Sequence, residues 1–379
     1  MSEPRPQSHL RLFVTVSPGL EPWLVAELRD LGLTGKVASG GVELRTSTEQ
    51  LWQLHHDSRL AEHIRVRLKS FHARHFDELV AGLQRLPWHA YLDRSRRFDV
   101  HVTCHRSRLW HSDAVAQRTR MAIEGKSGPT DATRRDPGSD ISQSVYIRIA
   151  GDRVQPSVDA SGERLHRRGR RVFVGRAPLR ETLAAAVVRI LNESALHDAD
   201  AIWDPFCGSG CLLVEWAESR LGLSAGRDRS FAFEHWPIHD AMKYATWLQS
   251  RVTPVPTPLR AFGSDIDPQP LAAAQTNATL SSTHDCYTWL CGDFESFADV
   301  IPHGTAIVTN PPYGVRSGDR PSYARLMHRF EMLLARRIDL RPAVVLVPNP
   351  LHPWRPGLAW HTVASFHNGG LPVQVLRLV

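Results

Sequence analysis

The sequence predicts an α/β chain: a doubly wound, mostly parallel sheet in its second half, preceded by an α+β half. Three observations predict it. From residue 201 onward, short apolar runs alternate with longer stretches that carry apolar residues at helical spacing, as strands joined by crossover helices do. Before a change of pattern near residue 165, strands, amphipathic helices and a hairpin are mixed. Strings rich in Gly, Pro and Asp fall at the ends of the later strands, where such a sheet holds its ligands.

The first half opens with an apolar strand, Leu10 to Val16, and a Pro18-Gly19 turn. A helix from Leu20 to Leu31 follows, with Leu20, Leu24 and Leu28 on one stripe and Gly32 as its stop. Gly40-Gly41 precedes a strand, Val42 to Arg45, and Glu49 to His55 starts a helix. Ile64 to Ser70 and Phe98 to Cys104 alternate as strands do. Asp77 to Leu86 and Ser112 to Glu124 read as helices. Gly125 to Ser142 reads as a loop, and Val145 to Val158 as a β-hairpin turning at Gly151-Asp152.

The second half gives strands at Ala201 to Trp203, Leu259 to Asp265, Tyr287 to Cys291, Thr305 to Val308 and Ala343 to Val347. Helices are predicted at Ser209 to Leu221, Pro268 to Leu280 and Tyr323 to Ile338. Asp267 suits an N-cap and Pro268 a first helical position.

Composition narrows the function without fixing it. The chain has 379 residues, enough for two or three domains, and a formal net charge of +7, which suits a polyanionic partner. Lysine occurs only at Lys36, Lys69, Lys126 and Lys243, so arginine supplies nearly all the basic side chains. Codon bias in a GC-rich genome explains that excess as well as phosphate binding does, so it decides nothing alone. The five cysteines (Cys104, Cys207, Cys211, Cys286, Cys291) form no C-x-x-C, which argues against a disulfide framework and a zinc site and suits a cytoplasmic protein. No apolar leader and no stretch of membrane-spanning length is seen, so no membrane association is expected. A monomer is the default expectation.

Five strings carry chemistry. Asp204-Pro205-Phe206-Cys207-Gly208-Ser209-Gly210 joins a strand to a helix. Gly208 and Gly210 permit a tight turn, and the free N–H groups at the helix start suit a carboxylate. The string lacks both the third Gly of a dinucleotide fingerprint and the Lys of a phosphate-binding loop. In Gly263-Ser264-Asp265-Ile266-Asp267, Asp265 stands where this architecture holds ribose hydroxyls. In Gly292-Asp293-Phe294, the carboxylate suits an adenine amino group and the ring an adenine face, although Gly-Asp is a common turn.

Asn310-Pro311-Pro312-Tyr313-Gly314 is the sharpest string. Two prolines fix the backbone, and the Asn310 side-chain oxygen and the Pro311 carbonyl can accept both protons of one planar NH2 group. Tyr313 can stack on the ring bearing it. Two acceptors favour the pyramidal amine, whose lone pair then meets an electrophilic methyl with no strong base and no metal. The fifth string, Arg164 to Arg171, includes His166, Arg167, Arg168, Arg170 and Arg171. Such a run is usually a solvated face, but beside a base-modifying site it is a credible RNA phosphate contact.

Together these strings resemble class I S-adenosylmethionine-dependent methyltransferases of the amino-methylating N-P-P-Y group. Ser157 to Gly162, Leu165 to Gly169, Ala177 to Ala184, Phe233 to Trp236 and Phe262 to Asp267 resemble, more closely, the bacterial 23S rRNA guanine-N2 methyltransferases that carry a THUMP domain. Leu12 to Leu31 resembles that family's N-terminus. The resemblance implies a ferredoxin-like domain over 1–70, a THUMP RNA-binding domain over 71–163 and a Rossmann-like catalytic domain over 164–379. It implies S-adenosylmethionine as cofactor and N2-methylguanine in 23S rRNA as product, with Asn310, Pro311, Pro312 and Tyr313 holding the base. Thr182, Asp204, Phe206, Gly208, Gly210, Asp265, Ile266, Asp293 and Phe294 would form the cofactor site. Cys211 stands where relatives usually show Thr, and the chain ends at Val379 where some relatives continue into a second methyltransferase domain.

Alternatives stay open at this point. N-P-P-Y also suits adenine-N6 methylation of DNA and amide methylation of release factors, and tRNA guanine-N2 methylation by a THUMP relative is the nearest rival. A non-catalytic RNA-binding assembly factor would need no intact Asn310-to-Tyr313 string.

Overall fold

The structure is a computed structural model and describes residues 9–93, 96–125, 143–169, 179–193, 201–251, 258–313, 320–351 and 354–379. The loop expected at Gly125 to Ser142 falls almost wholly outside them, as do Arg170, Arg171 and Gly314.

The first half runs β1 (Leu10–Thr15), α1 (Glu21–Asp30), β2 (Gly35–Ala38), β3 (Gly41–Thr46), α2 (Thr48–Asp57), β4 (His63–Arg67) and β5 (Phe71–His72). It continues through α3 (Phe76–Gln84), α4 (Trp88–Tyr91), β6 (Phe98–His105), α5 (Ser112–Glu124), β7 (Gln143–Ala150) and β8 (Arg153–Asp159). Seven of these strands lie in the order β2-β3-β1-β4-β8-β7-β6, with β5 added alongside β8. The alternation read in the sequence sets the register. Leu12 pairs with Leu44 and Val66, and Val66 with Val158, so one face is continuously apolar. Because β4 pairs with β8, a single sheet spans residue 70, where two domains were expected to meet.

The second half contains α6 (Glu181–Asn192), β9 (Ala201–Asp204), α7 (Cys211–Arg220), α8 (Ala241–Gln249), β10 (Arg260–Asp265), α9 (Pro268–Leu280) and β11 (Tyr287–Cys291). It closes with β12 (Ala306–Thr309), α10 (Arg320–Arg336), β13 (Ala343–Pro348), β14 (His361–Asn368) and β15 (Leu371–Leu378). Their order is β11-β10-β9-β12-β13-β15-β14. The first five are mutually parallel, and β15 runs antiparallel between β13 and β14. The order reverses between β9 and β12, which opens a crevice at their carboxyl ends. Both strands are fully buried, as their apolar composition requires for a sheet covered on both faces.

The halves are joined by packing and by buried charge. Trp52 and His56 of α2 meet Tyr244 and Trp247 of α8, with the His56 Nε2 2.8 Å from the Tyr244 hydroxyl. Arg59 reaches Glu215 of α7 at 2.7 Å. Among the described residues, no helix is long and apolar enough to cross a membrane, and no group of three or more His, Cys, Asp or Glu side chains is placed to hold a metal ion.

Candidate active site

Three of the five strings meet at the crevice. The first begins where β9 ends. Asp204 is 1% exposed, and its Oδ1 accepts the Phe206 N–H at 3.1 Å and the Thr309 hydroxyl at 2.6 Å. Burial, with Asp265 nearby, pushes its carboxyl up to about 7. Asp204 therefore fastens the β9 loop to the end of β12 from beneath. This corrects the expectation that it contacts a ligand directly.

Gly208 and Gly210 both hold positive φ, 51° and 77°. A Cβ on Gly210 would lie 3.0 Å from Ala274, whereas one on Gly208 would meet nothing within 4 Å. Packing thus demands glycine at 210. At 208 the turn demands it and leaves open space above. The Gly208 N–H donates to Asp265 Oδ2 at 2.9 Å, and Asp265 Oδ1 accepts the Asp267 N–H at 2.9 Å. Asp265 braces the glycine turn, and the next side chain, Ile266, is 74% exposed. Asp267 caps α9 through the Gln269 N–H, and Pro268 sits at the first turn, as read from the sequence.

Asn310 follows β12 directly. It is half-buried, Pro311 is buried and Pro312 exposed. The Tyr313 hydroxyl donates to the Asn310 side-chain oxygen, so ring and acceptor are held together. Burial pushes the Tyr313 phenol up, and Asn368 at the end of β14 lies beside it. Asn368 went unseen in the sequence because a residue in a C-terminal hairpin gives no local hint that it faces residue 313. Thr182, at the start of α6, is 3% exposed, and its hydroxyl has no hydrogen-bond partner among the described residues.

The other two strings behave differently. Asp293 is bound by Arg329, whose Nη2 lies 2.8 Å from each carboxylate oxygen, and it caps the following turn through the Glu295 N–H. The Phe294 ring is 3% exposed, with Phe206 5.1 Å and Phe330 6.2 Å away. It belongs to the core beneath the crevice and has no open face for adenine. Phe206, half-buried, is the ring nearer the surface.

In the basic run, Arg168 is 5% exposed and its guanidinium meets Glu215 at 2.6 Å and the Arg59 carbonyl at 3.1 Å. A buried, paired arginine is unavailable to phosphate, so its expected RNA contact is corrected to a bridge between the halves. Burial and the surrounding arginines push His166 down to about 4, which leaves it uncharged at neutral pH. Arg167 is exposed and paired with Glu163 at 3.0 Å.

The chain is similar to known proteins over both halves. Residues 168–350 match the family described as RMKL-like, methyltransferase domain, and residues 11–65 match the RlmL ferredoxin-like domain. The chain is 30% identical over 335 residues to the "Putative RNA methyltransferase YpsC" of Bacillus subtilis (strain 168), covering 85% of each chain. The chain belongs to the RMKL-like methyltransferase family. This RMKL-like chain is also 28% identical over 374 residues to the "Putative RNA methyltransferase slr0064" of Synechocystis sp. (strain ATCC 27184 / PCC 6803 / Kazusa), covering 96% of this chain and 95% of the relative. Its fold matches that in the "Crystal structure of SMU.472, a putative methyltransferase complexed with SAH", at a TM-score of 0.84 and 24% identity over 98% of each chain. The crevice thus lies within the stretch that matches a methyltransferase domain, with a ferredoxin-like domain ahead of it.

Proposed function

We propose that the protein transfers a methyl group from S-adenosylmethionine to the exocyclic N2 of a guanine in RNA, most specifically in 23S rRNA. The observation that carries the reading is Asn310-Pro311-Pro312-Tyr313 at the end of β12, tied through Thr309 and Asp204 to the glycine turn. An amine-holding group and a cofactor-holding loop then share one crevice.

The residues fit the cofactor. The turn at Gly208 leaves room for close approach, and α7 presents its N-terminal N–H groups to a carboxylate. The buried Thr182 hydroxyl, without a partner among the described residues, offers a polar contact, Asp265 suits ribose hydroxyls, and exposed Ile266 suits an apolar ring face. Bound there, S-adenosylmethionine supplies an electrophilic sulfonium methyl. Asn310 Oδ1 and the Pro311 carbonyl accept hydrogen bonds from the two amine N–H groups, Tyr313 lies against the base, and the proton that the amine sheds on methylation would pass to water. For Asn310 Oδ1 to receive the amine, the Tyr313 hydroxyl gives up its bond to that oxygen. Catalysis is chiefly positioning.

RNA as substrate is supported by the relatives' names, the net charge of +7 and the α+β half, read as a ferredoxin-like and a THUMP domain. Transfer of labelled methyl to 23S rRNA, 16S rRNA and tRNA tests the reading. Label in 23S rRNA alone is expected. Label confined to tRNA moves the protein to the tRNA guanine-N2 branch, and no label in any RNA refutes the proposal.

A further inference from the structure

The eleven tryptophans all lie among the described residues, and only Trp110 is exposed, at 66%. It stands in the connection from β6 to α5, far in sequence from the crevice. An exposed indole forgoes the burial that the other ten obtain. Its ring lies against His111, centroids 3.4 Å apart. Arg106 and Arg108 are exposed beside it, and Leu109, between Arg108 and Trp110, is buried and anchors the segment.

The loop is rigid for identifiable reasons. Arg108 donates its backbone N–H to Asp152 Oδ1 at 2.8 Å, the Asp152 N–H donates to Ser107 Oγ at 3.2 Å, and the Gly151 N–H to the His105 carbonyl at 3.2 Å. Arg106 is held at a φ of 46°, which a non-glycine residue adopts only when its surroundings dictate it. The carboxylate in this cluster, Asp152, is engaged by Arg108's N–H and by Arg74 at 3.4 Å. A fixed aromatic face flanked by arginines complements a polyanion whose units have flat faces. Unpaired nucleotides are that ligand, because their bases stack on aromatic rings while cations track the phosphates. Preorganisation spares the ordering cost of binding.

We infer that the His105–His111 loop grips RNA by stacking an unpaired base on Trp110 and holding flanking phosphates with Arg106 and Arg108. This rests on the reading of the chain as an RNA methyltransferase and adds a contact point remote in sequence from the crevice.

The test uses the full chain and a 23S rRNA transcript, with filter binding across salt concentrations and methyl transfer in parallel. Trp110→Ala is expected to weaken binding about tenfold, with Trp110→Tyr restoring most of it. Arg106→Gln with Arg108→Gln is expected to flatten the dependence of log Kd on log salt by about one to two. In methyl transfer the losses appear as a raised KM for RNA. Met242→Ala, which trims a side chain 84% exposed on α8, is the matched control and should bind as wild type. Equal binding by wild type and Trp110→Ala overturns the inference, as does an equal loss in Met242→Ala. If the wild type binds RNA through Trp110 yet methylates none, the functional reading fails and the loop site stands. If the wild type binds no RNA, both fail.

Discussion

The Asn310 side-chain oxygen accepts the Tyr313 hydroxyl and, in the proposed reaction, an amine N–H. The two roles compete, and this separates the ring of Tyr313 from its hydroxyl. Asn310→Ala removes an acceptor that acts on the amine itself, and kcat is expected to fall about a hundredfold or more with cofactor binding retained. Tyr313→Phe keeps the ring and loses one neutral hydrogen bond, so activity should stay within roughly tenfold of wild type. Tyr313→Ala loses the stacking face and should cost one to two orders of magnitude, about what a base–aromatic stack contributes. Steady-state kinetics on the same RNA compares them, and equal losses for Phe and Ala would mean that the hydroxyl matters more than the ring. Legibility at this scale followed chemistry. Gly210 was readable because only glycine comfortably fills a crowded positive-φ position, and the place of Asn310 at the end of a strand because an apolar run leads into it. Phe294 and Arg168 were misread because a ring or guanidinium near a site looks the same in sequence whether it faces a ligand or the core.

Among the elements, α7 is the joint between the halves. Glu215 on its buried face receives Arg168 and Arg59, and Glu218 receives Arg227 at 2.9 Å. Removing Arg168 leaves two buried carboxylates, Glu215 and Glu218, with one cation fewer in a poor solvent for charge. Arg168→Ala is therefore expected to lower the unfolding free energy by about 3–5 kcal/mol. Urea denaturation measures it, and Glu215→Leu, which strips both Arg168 and Arg59 of their shared partner, should cost at least as much. Unchanged RNA affinity in the refolded single variant would accord with a structural arginine, whereas a loss of affinity without a loss of stability would reinstate it as an RNA contact. The elements themselves were legible where local signals were complete. Both α9 and β11 begin and end where the sequence placed them, because Asp267 and Pro268 start the helix and an apolar run defines the strand. Strands β14 and β15 were not foreseen. His361–Asn368 is largely polar, and only pairing with β15, itself held by β13, makes it a strand.

For the whole molecule, the contact between α2 and the catalytic half contributes to behaviour in acid. Burial pushes His55 down to about 3 and His56 down to about 4. In the unfolded chain an imidazole takes up its proton near pH 6.5. Above that pH both rings are neutral in either state and their contribution to stability is complete. As pH falls below 6.5 the unfolded chain binds protons that the folded one refuses, and stability is lost until the folded values are reached. At pH 5 the loss is about 2 kcal/mol for each ring. Thermal midpoints across pH 7.5 to 5 should fall, with His166 adding to the loss and Asp204, which takes up its proton in the folded chain near pH 7, offsetting part of it. In His56→Phe the absolute stability is lower, since the Tyr244 bond is gone, and this part of the slope shrinks by about half. A slope unchanged by His56→Phe would contradict the assignment.

The central claim is that the crevice at the ends of β9, β10 and β12 methylates a guanine amino group in RNA. Nucleoside analysis of RNA labelled from S-adenosylmethionine tests it most directly. The account predicts label in N2-methylguanosine with the wild-type chain and none with Asn310→Ala. Label in N6-methyladenosine, or in a methylated base that persists in Asn310→Ala, would contradict it.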